Sequence, residues 1–263
     1  MAQVLINQKR GDKDMDIRTS VAMAVYNGEK YIKEQVDSIL ARMGENDELV
    51  ISYDPSTDAT KSIIDEYARK DPRIKILINT NPGVQNNFNN AVMACNGKYI
   101  FLSDQDDAWI GDKINVVIEA FEKTGADLVV HDGYMTDANF QPLPRTIFER
   151  SGTYNGPIRN IIQCTFWGCC MAFKAELREI LCPFPSQNKV GHDLWIGVMT
   201  GFYGKIARVD ECLMLHRLHG DNVTVTSRRK LSIILRHRLS LIKELRQRAR
   251  KLRKQKASRR KTL

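Results

Sequence analysis

Two aspartates one residue apart, Asp104 and Asp106, stand in a run with Gln105 and Asp107, directly after the apolar residues 99–102. Carboxylates so placed at a strand end can face one point. Hard divalent cations take oxygen ligands, and magnesium is commonly shared between carboxylates and substrate phosphates. The competing reading is an acidic turn in which Asp107 caps a helix starting at Ala108. Further on, Asp193 beside His192 offers a carboxylate able to take a proton from a hydroxyl, or to cap the helix containing Leu194 and Trp195. Arg217 and His219 follow the apolar residues 213–215. A cation there can neutralise a leaving group, and an imidazole can ligate a metal, although a single histidine is more often a hydrogen-bonded structural residue. Trp109 and Trp195 offer flat apolar faces, for a sugar ring or for the core.

These residues need a frame. Residues 20–25 are a short apolar run that stops at the turn Tyr26, Asn27, Gly28. Ile32, Val36, Ile39 and Leu40 then recur at helical spacing. Residues 48–53 form a second strand, ending at the turn-rich residues 54–58, where Thr57 or Asp58 can cap a helix reaching about Arg69. A third strand over 74–78, a helix through Cys95, a fourth strand over 99–102, another helix and a fifth strand over 127–131 complete the pattern. Such alternation implies right-handed crossovers and a mostly parallel sheet with helices on both faces. Ligands of such sheets bind beyond the carboxyl ends of the strands, where Tyr26, Asp54 and Asp104 all fall. Beyond the irregular residues 132–165, a strand leading into a helix is expected over 166–181, a helix near His192, and short strands over 205–210 and 212–216.

The ordered series Tyr26-Asn27-Gly28, Tyr53-Asp54-Pro55, Asn81-Pro82-Gly83, Ser103-Asp104-Gln105-Asp106-Asp107, Gly168-Cys169-Cys170, His192-Asp193-Leu194-Trp195 and Arg217-Leu218-His219-Gly220-Asp221-Asn222 resembles family 2 glycosyltransferases. Within that family it is similar to the rhamnosyltransferase-like branch that builds bacterial surface polysaccharides. The resemblance implies a GT-A nucleotide-sugar-binding fold, with a nucleotide-binding half over 19–131 and an acceptor-binding half over 132–227. It implies that Tyr26, Asp54 and Asp104 hold the nucleotide, with Tyr26 against a uracil or thymine and Asp54 accepting its imide N–H. Asp104, Asp106 and His219 would hold Mg2+ or Mn2+, and Asp193 would be the general base. Arg217, His192, Trp109 and Trp195 would serve the diphosphate or the acceptor. The donor expected is dTDP-rhamnose, with a UDP-sugar second, and the acceptor is a saccharide or lipid-linked saccharide.

The chain has 263 residues, 43% hydrophobic and 27% charged, enough for a sizeable core without disulfides. Six cysteines without a CxxC pair suggest reduced thiols and no structural zinc. Residues 1–18 read as a loose leader without an apolar signal core. Of 40 basic and 31 acidic residues, 16 and one lie from Arg228 onward, so the body is about −6 and the tail, 228–263, about +15. Leu231, Ile234, Leu235, Leu239, Ile242, Leu245 and Leu252 recur along that tail at steps mostly suited to one helix face. A basic amphipathic helix is therefore expected, lying on an anionic membrane or folding back on the domain. The first of these places the protein in the cytoplasm, peripheral on the inner face of the cell membrane. Nucleic acid is not expected as a partner, because no aromatic residue follows Tyr203 to stack on bases. A nucleotidyltransferase would need a Gly-rich basic loop that residues 23–30 lack.

Overall fold

The computed structural model describes residues 17–154, 156–186, 190–220 and 231–259. Strand and helix first alternate: β1 (Thr19–Val25), α1 (Ile32–Leu40), β2 (Asp47–Tyr53), α2 (Thr60–Lys70), β3 (Ile74–Ile78), α3 (Val84–Ala94) and β4 (Tyr99–Ser103). A two-residue strand, β5 (Ala108–Trp109), precedes α4 (Lys113–Thr124) and the long β6 (Leu128–Thr136). The remaining elements are β7 (Pro142–Thr146), α5 (Ile147–Ser151), α6 (Pro157–Ile162), β8 (Met171–Lys174), α7 (Arg178–Leu181), α8 (His192–Tyr203), β9 (Ile206–Arg217) and α9 (Leu231–Arg259).

All nine strands form one sheet in the order 3-2-1-4-8-6-9-5, with β7 beside β6. The neighbours β3, β2, β1 and β4 are parallel, as are β6 and β9. Between these groups β8 runs antiparallel to both β4 and β6. Every residue of β1 and β2 is buried, the expected fate of a parallel strand covered on both faces. On one face Ile32, Val36 and Ile39 of α1 share a core with Ile114, Val117 and Phe121 of α4. On the other, Phe88 and Val92 of α3 pack in the same cluster as Leu194, Trp195 and Val198 of α8. The α/β layering expected from the alternation is therefore present, in keeping with the fold that the resemblance implies.

Three local expectations are corrected. No helix starts at Ala108: Ala108 and Trp109 pair with Leu215 and Met214 instead, so Asp107 caps nothing there. The two short strands expected over 205–210 and 212–216 are the single strand β9, whose register shifts opposite residues 131–134. Such an irregularity bends a strand and re-aims the residues beyond the bend. The strand expected to begin near Phe166 begins at Met171, after a 3-10 turn over Gly168–Cys170.

The described part of the basic tail, Leu231–Arg259, is a helix, and one side of it belongs to the core. Leu241 is fully buried, and Leu245 and Leu252 pack partly buried against the α3–α8 cluster. Arg248 donates to the carbonyls of Ile180 (2.8 Å), Cys182 (2.9 Å) and Pro183 (2.5 Å). Carbonyls at the end of a helix lack intrahelical partners, so a guanidinium fork there closes off α7. The same group lies 5.3 Å from the centre of the Trp195 ring. Ile233, Leu235 and Leu239 remain exposed. No described helix is long and apolar enough to cross a membrane.

If α9 is part of the cooperative core, Leu241→Ala lowers stability by about 2–4 kcal/mol, through lost apolar transfer and a residual cavity. A urea melt reads this directly. A loss under about 0.5 kcal/mol, the scale of an ordinary surface change, places α9 outside the core.

Candidate active site

The carboxyl ends of β1, β2 and β4 open into one cleft of about 1700 Å³. Pockets for a single small ligand run roughly 300–1,000 Å³, so this cleft has room for two substrates. Tyr26, Asp54, Asp104 and Asp106 line it, and so do His192, Asp193 and His219.

The end nearest β2 is built by interlocked turns. The Asn27 backbone is left-handed, with φ 47°, a conformation Asn tolerates better than most residues. Its side-chain oxygen accepts from the Thr57 N–H at 3.0 Å, and its own N–H donates to Ser56 Oγ at 3.0 Å. Gly28 N–H donates to Thr60 Oγ1 at 2.7 Å. Gln105 clamps the Tyr26 backbone from the other side: Oε1 accepts the N–H at 2.9 Å and Nε2 donates to the carbonyl at 2.7 Å. The phenol ring of Tyr26 is left 53% exposed in the cleft. Asp54 is buried and accepts from Asn79 Nδ2 at 2.5 Å and from the Gly83 N–H at 2.8 Å. A carboxylate has about four acceptor positions, so these two bonds orient it and leave capacity for one further N–H.

At the centre of the cleft, Gln35 of α1 donates to Ser103 Oγ at 2.7 Å and to the Asp104 carbonyl at 2.9 Å, fixing where β4 ends. Burial, then the charges of Asp107 and Asp106, push the Asp104 carboxyl well above its ordinary range. Asp106 is raised by burial and by Asp107, against the opposing pull of His219, whose Nε2 lies 2.8 Å from Asp106 Oδ2. Crowded carboxylates of this kind are relieved by a cation. Their hard oxygens suit Mg2+ or Mn2+, so the donor set fits such an ion.

A second cluster lies beside it. One ligand atom each from Asp107, Cys169 and His216 fall within 4.8 Å of one another. His216 Nδ1 is 2.9 Å from Asp107 Oδ1, and the Arg217 N–H donates to the same oxygen at 3.1 Å. Burial opposes a charge on His216, but the charge and hydrogen bond of Asp107 prevail and push its pKa up to about 12. The Cys169 thiol is held well above its ordinary value, by its hydrogen bond with Cys170 and by burial. An imidazolium and a thiol both keep their protons at neutral pH, so this trio acts as an ion pair beside a thiol. By ligand type the oxygens of Asp104 and Asp106 are the better match to a hard cation, and the thiol and imidazole of this trio to a softer one.

Asp193 stands in the first turn of α8, where its Oδ1 accepts from the Leu194 N–H at 2.7 Å. The helix is anchored through Trp195 Nε1 to the Leu181 carbonyl at 2.9 Å, and Gln85 of α3 donates to the Val190 carbonyl just upstream. The His192 ring lies tilted against the Phe88 ring, with centres 4.3 Å apart, and burial lowers its pKa. Gly168 makes room for it, since a Cβ there would meet His192 Nε2 at 2.6 Å.

Three expected residues do not reach the cleft. The Arg217 guanidinium donates to the carbonyls of Asp106 and Ala138, each at 2.9 Å, pairs with Glu34 and lies 3.8 Å from the Phe140 ring centre. It ties loops together behind the acidic run. Trp109 is buried against Phe101, with the buried Lys113 ammonium 4.2 Å above its ring. Trp195 is a core residue of α8. In both tryptophans the apolar ring went to the core, the alternative their composition left open. Asn222, in the last of the sequence motifs, falls outside the described residues. The cleft also has lining that motif reading missed: Trp167, Arg150 and, from the tail helix, Arg236 and Arg238. Trp167 adjoins the Gly168-Cys169-Cys170 motif, a usable signal; nothing in the spacing of the arginines gave them away.

Residues 20–181 match the model of the family described as glycosyl transferase family 2. The chain is 30% identical over 220 residues to the putative teichuronic acid biosynthesis glycosyltransferase TuaG of Bacillus subtilis, covering 78% of this chain and 81% of that one. Its fold is similar to that of S. aureus TarS 1-349 in complex with UDP, with a TM-score of 0.62 at 20% identity, covering 76% of this chain and 60% of that one. It is also similar to the mannosyltransferase PcManGT of Pyrobaculum calidifontis in complex with GDP-Man and Mn2+, with a TM-score of 0.61 at 20% identity, covering 78% and 58%. An uncharacterized glycosyltransferase of Nostoc is 27% identical over 78% of this chain, which spans 66% of that relative's length. Sequence match, sheet order and the cleft at the strand ends agree, and the chain belongs to glycosyl transferase family 2.

Proposed function

We propose that the protein is an inverting, metal-dependent glycosyltransferase. It moves a sugar from a nucleotide donor to a hydroxyl of a saccharide or lipid-linked acceptor in bacterial surface polysaccharide synthesis. The observation that carries this reading is the convergence in one cleft of three groups: Tyr26 with Asp54, the carboxylates Asp104 and Asp106, and Asp193. Relatives named for teichuronic acid synthesis and for complexes with UDP support it.

Tyr26 packs against a pyrimidine while Asp54, held by Asn79 and Gly83, accepts its imide N–H. Asp104, Asp106 and His219 would hold the divalent ion, which when bound supplies Lewis-acid stabilisation to the leaving diphosphate. Asp193 takes the proton from the acceptor hydroxyl as that oxygen attacks the anomeric carbon. Neutral His192, wedged between Phe88 and Gly168, limits how the first turn of α8 can move. The donor favoured by the motif series is dTDP-rhamnose, and the structural likeness to a UDP complex supports a UDP-sugar as second reading. Thermal shifts against dTDP-, UDP- and GDP-sugars with manganese separate these, and no shift with any of them counts against the whole assignment. Peripheral attachment to an anionic membrane is the role proposed for the exposed, basic side of α9, on the cytoplasmic face.

Two neighbouring aspartates have opposite expected phenotypes. Asp106→Asn leaves the fold intact and removes metal-dependent donor binding and most transfer. Asp107→Asn strands the His216 imidazolium in a buried site and costs about 3–5 kcal/mol of stability. Melts and turnover of the two variants check this; normal turnover of Asp106→Asn after EDTA treatment rules out the metal role.

Asp193→Asn is expected to bind donor as the parent does while transfer slows roughly 10²–10⁴-fold, the usual contribution of a general base. Lost donor affinity with an intact saturated rate would instead make Asp193 a binding or capping residue.

A further inference from the structure

The cleft has two ends of opposite charge. Beneath Tyr26 it is acidic, with Asp54, Asp104 and Asp106. In the sheet order, β2 and β3 flank β1 on one side, while β8 and β6 lie beyond β4 on the other. Away from those carboxylates the lining includes Arg150 of α5, Trp167 just before β8, and Arg236 and Arg238 of α9, the last reaching the Ile162 carbonyl of α6. The described lining from α5, the segment before β8 and α9 contains no acid.

These groups form a built surface. The Arg150 guanidinium lies 5.9 Å from the Trp167 ring centre. Trp167 Nε1 donates to Ser151 Oγ at 2.6 Å, and its ring meets His216 edge-on at 5.1 Å. The wall is thus braced against the ion pair beside the metal carboxylates. Arg238 donates one N–H to the Ile162 carbonyl at 3.3 Å, while its buried Nε has no hydrogen-bond partner among the described residues. An unpaired buried donor is costly unless a ligand satisfies it. Guanidinium forks match phosphate oxygens, and an aromatic face matches a sugar ring.

We propose that the acceptor carries a phosphate or diphosphate group, gripped by Arg150, Arg236 and Arg238, with its sugar against Trp167 and its reacting hydroxyl at Asp193. This rests on the glycosyltransferase reading and names the acceptor class for it. Two sources present that chemistry: a lipid-linked diphosphate sugar and a polyol-phosphate polymer. Leu235 and Leu239, exposed on the helix that supplies the arginines, together with Ile158 and Ile162 exposed on the adjoining α6, favour the lipid.

The test uses the full chain saturated with UDP and magnesium, so that the donor end is filled. Inorganic pyrophosphate, farnesyl diphosphate and a short poly(glycerol phosphate) oligomer are titrated in by calorimetry. At least one is expected to bind, and the R236Q/R238Q double variant to weaken it roughly 10- to 100-fold, the effect of one or two charge-assisted hydrogen bonds. UDP affinity should stay within a few-fold. Arg150→Gln, on a different element, should weaken the same probe even if the α9 variants loosen their helix. Arg236→Lys with Arg238→Lys should recover part of the loss. Farnesyl diphosphate binding at least tenfold tighter than pyrophosphate assigns a lipid-linked acceptor; tighter binding of the oligomer assigns a polymer. The proposal is overturned if none of the three binds the UDP-saturated protein. It is equally overturned if the arginine variants bind them as the parent does, or if the variants lose UDP together with the probe. Failure of UDP to bind the parent protein sinks the glycosyltransferase reading instead, and is visible before any probe is added.

Discussion

The contact between Asp107 and the end of β9 holds the site together. One carboxylate oxygen takes both the His216 imidazole and the Arg217 N–H, joining residues more than a hundred positions apart. Without it, the acidic run after β4 would carry three like charges with one buried anchor fewer. With it, Asp107 faces inward on a cation while Asp104 and Asp106 face the cleft. The arrangement is costly, since both partners are almost fully buried, and buried pairs are retained for position more often than for net stability. Here the position gained is that of the neighbouring carboxylates. His219, two residues beyond the same strand end, reaches Asp106 because β9 is fixed there.

Much of the first half was legible in the sequence because its strands are short, apolar and punctuated. Residues 74–78 and the start of α8 at His192 fall where the pattern puts them. So does the placement of Tyr26, Asp54 and the acidic run at strand ends, since parallel topology forces loops of one kind to one edge. What could not be read was which side chain of a polar run turns inward. Asp107 looks no different from Asp106 until β9 is laid beside β5, a pairing over more than a hundred residues. The same holds for Arg217, whose neighbours Glu34 and Phe140 come from helix α1 and from the loop between β6 and β7. Trp109 and Trp195, each open to a sugar-facing or a core reading, lie in the core, since an indole satisfies one N–H and buries a large ring wherever it packs. The tail was read correctly as a helix, but its periodicity does not say what covers the stripe.

The division of labour across β4 is also physical. The strands on its β1 side are parallel, with β1 and β2 wholly buried, and they end together. On the other side β8 reverses direction and the connections lengthen into α5, α6 and the long strand β9. Parallel ends give a fixed frame, suited to a ligand part that is always the same. Irregular connections can change length and side chains without disturbing that frame.

The Arg248 fork on α7 gives α9 a double allegiance. One stretch of that helix is bolted to the α3–α8 core, while its first turns border the cleft. A helix held along one side, with Ile233, Leu235 and Leu239 exposed on it, opens more readily than a central strand. A molecule with α9 detached would keep β1 to β4 and the nucleotide end proposed for them, while losing Arg236 and Arg238 from the cleft. Whatever binds those two arginines there therefore binds only the docked form, and by linkage its concentration sets how much of the helix is docked. Amide exchange along α9 then becomes a concentration gauge for the second ligand, and amides of β1 should ignore it.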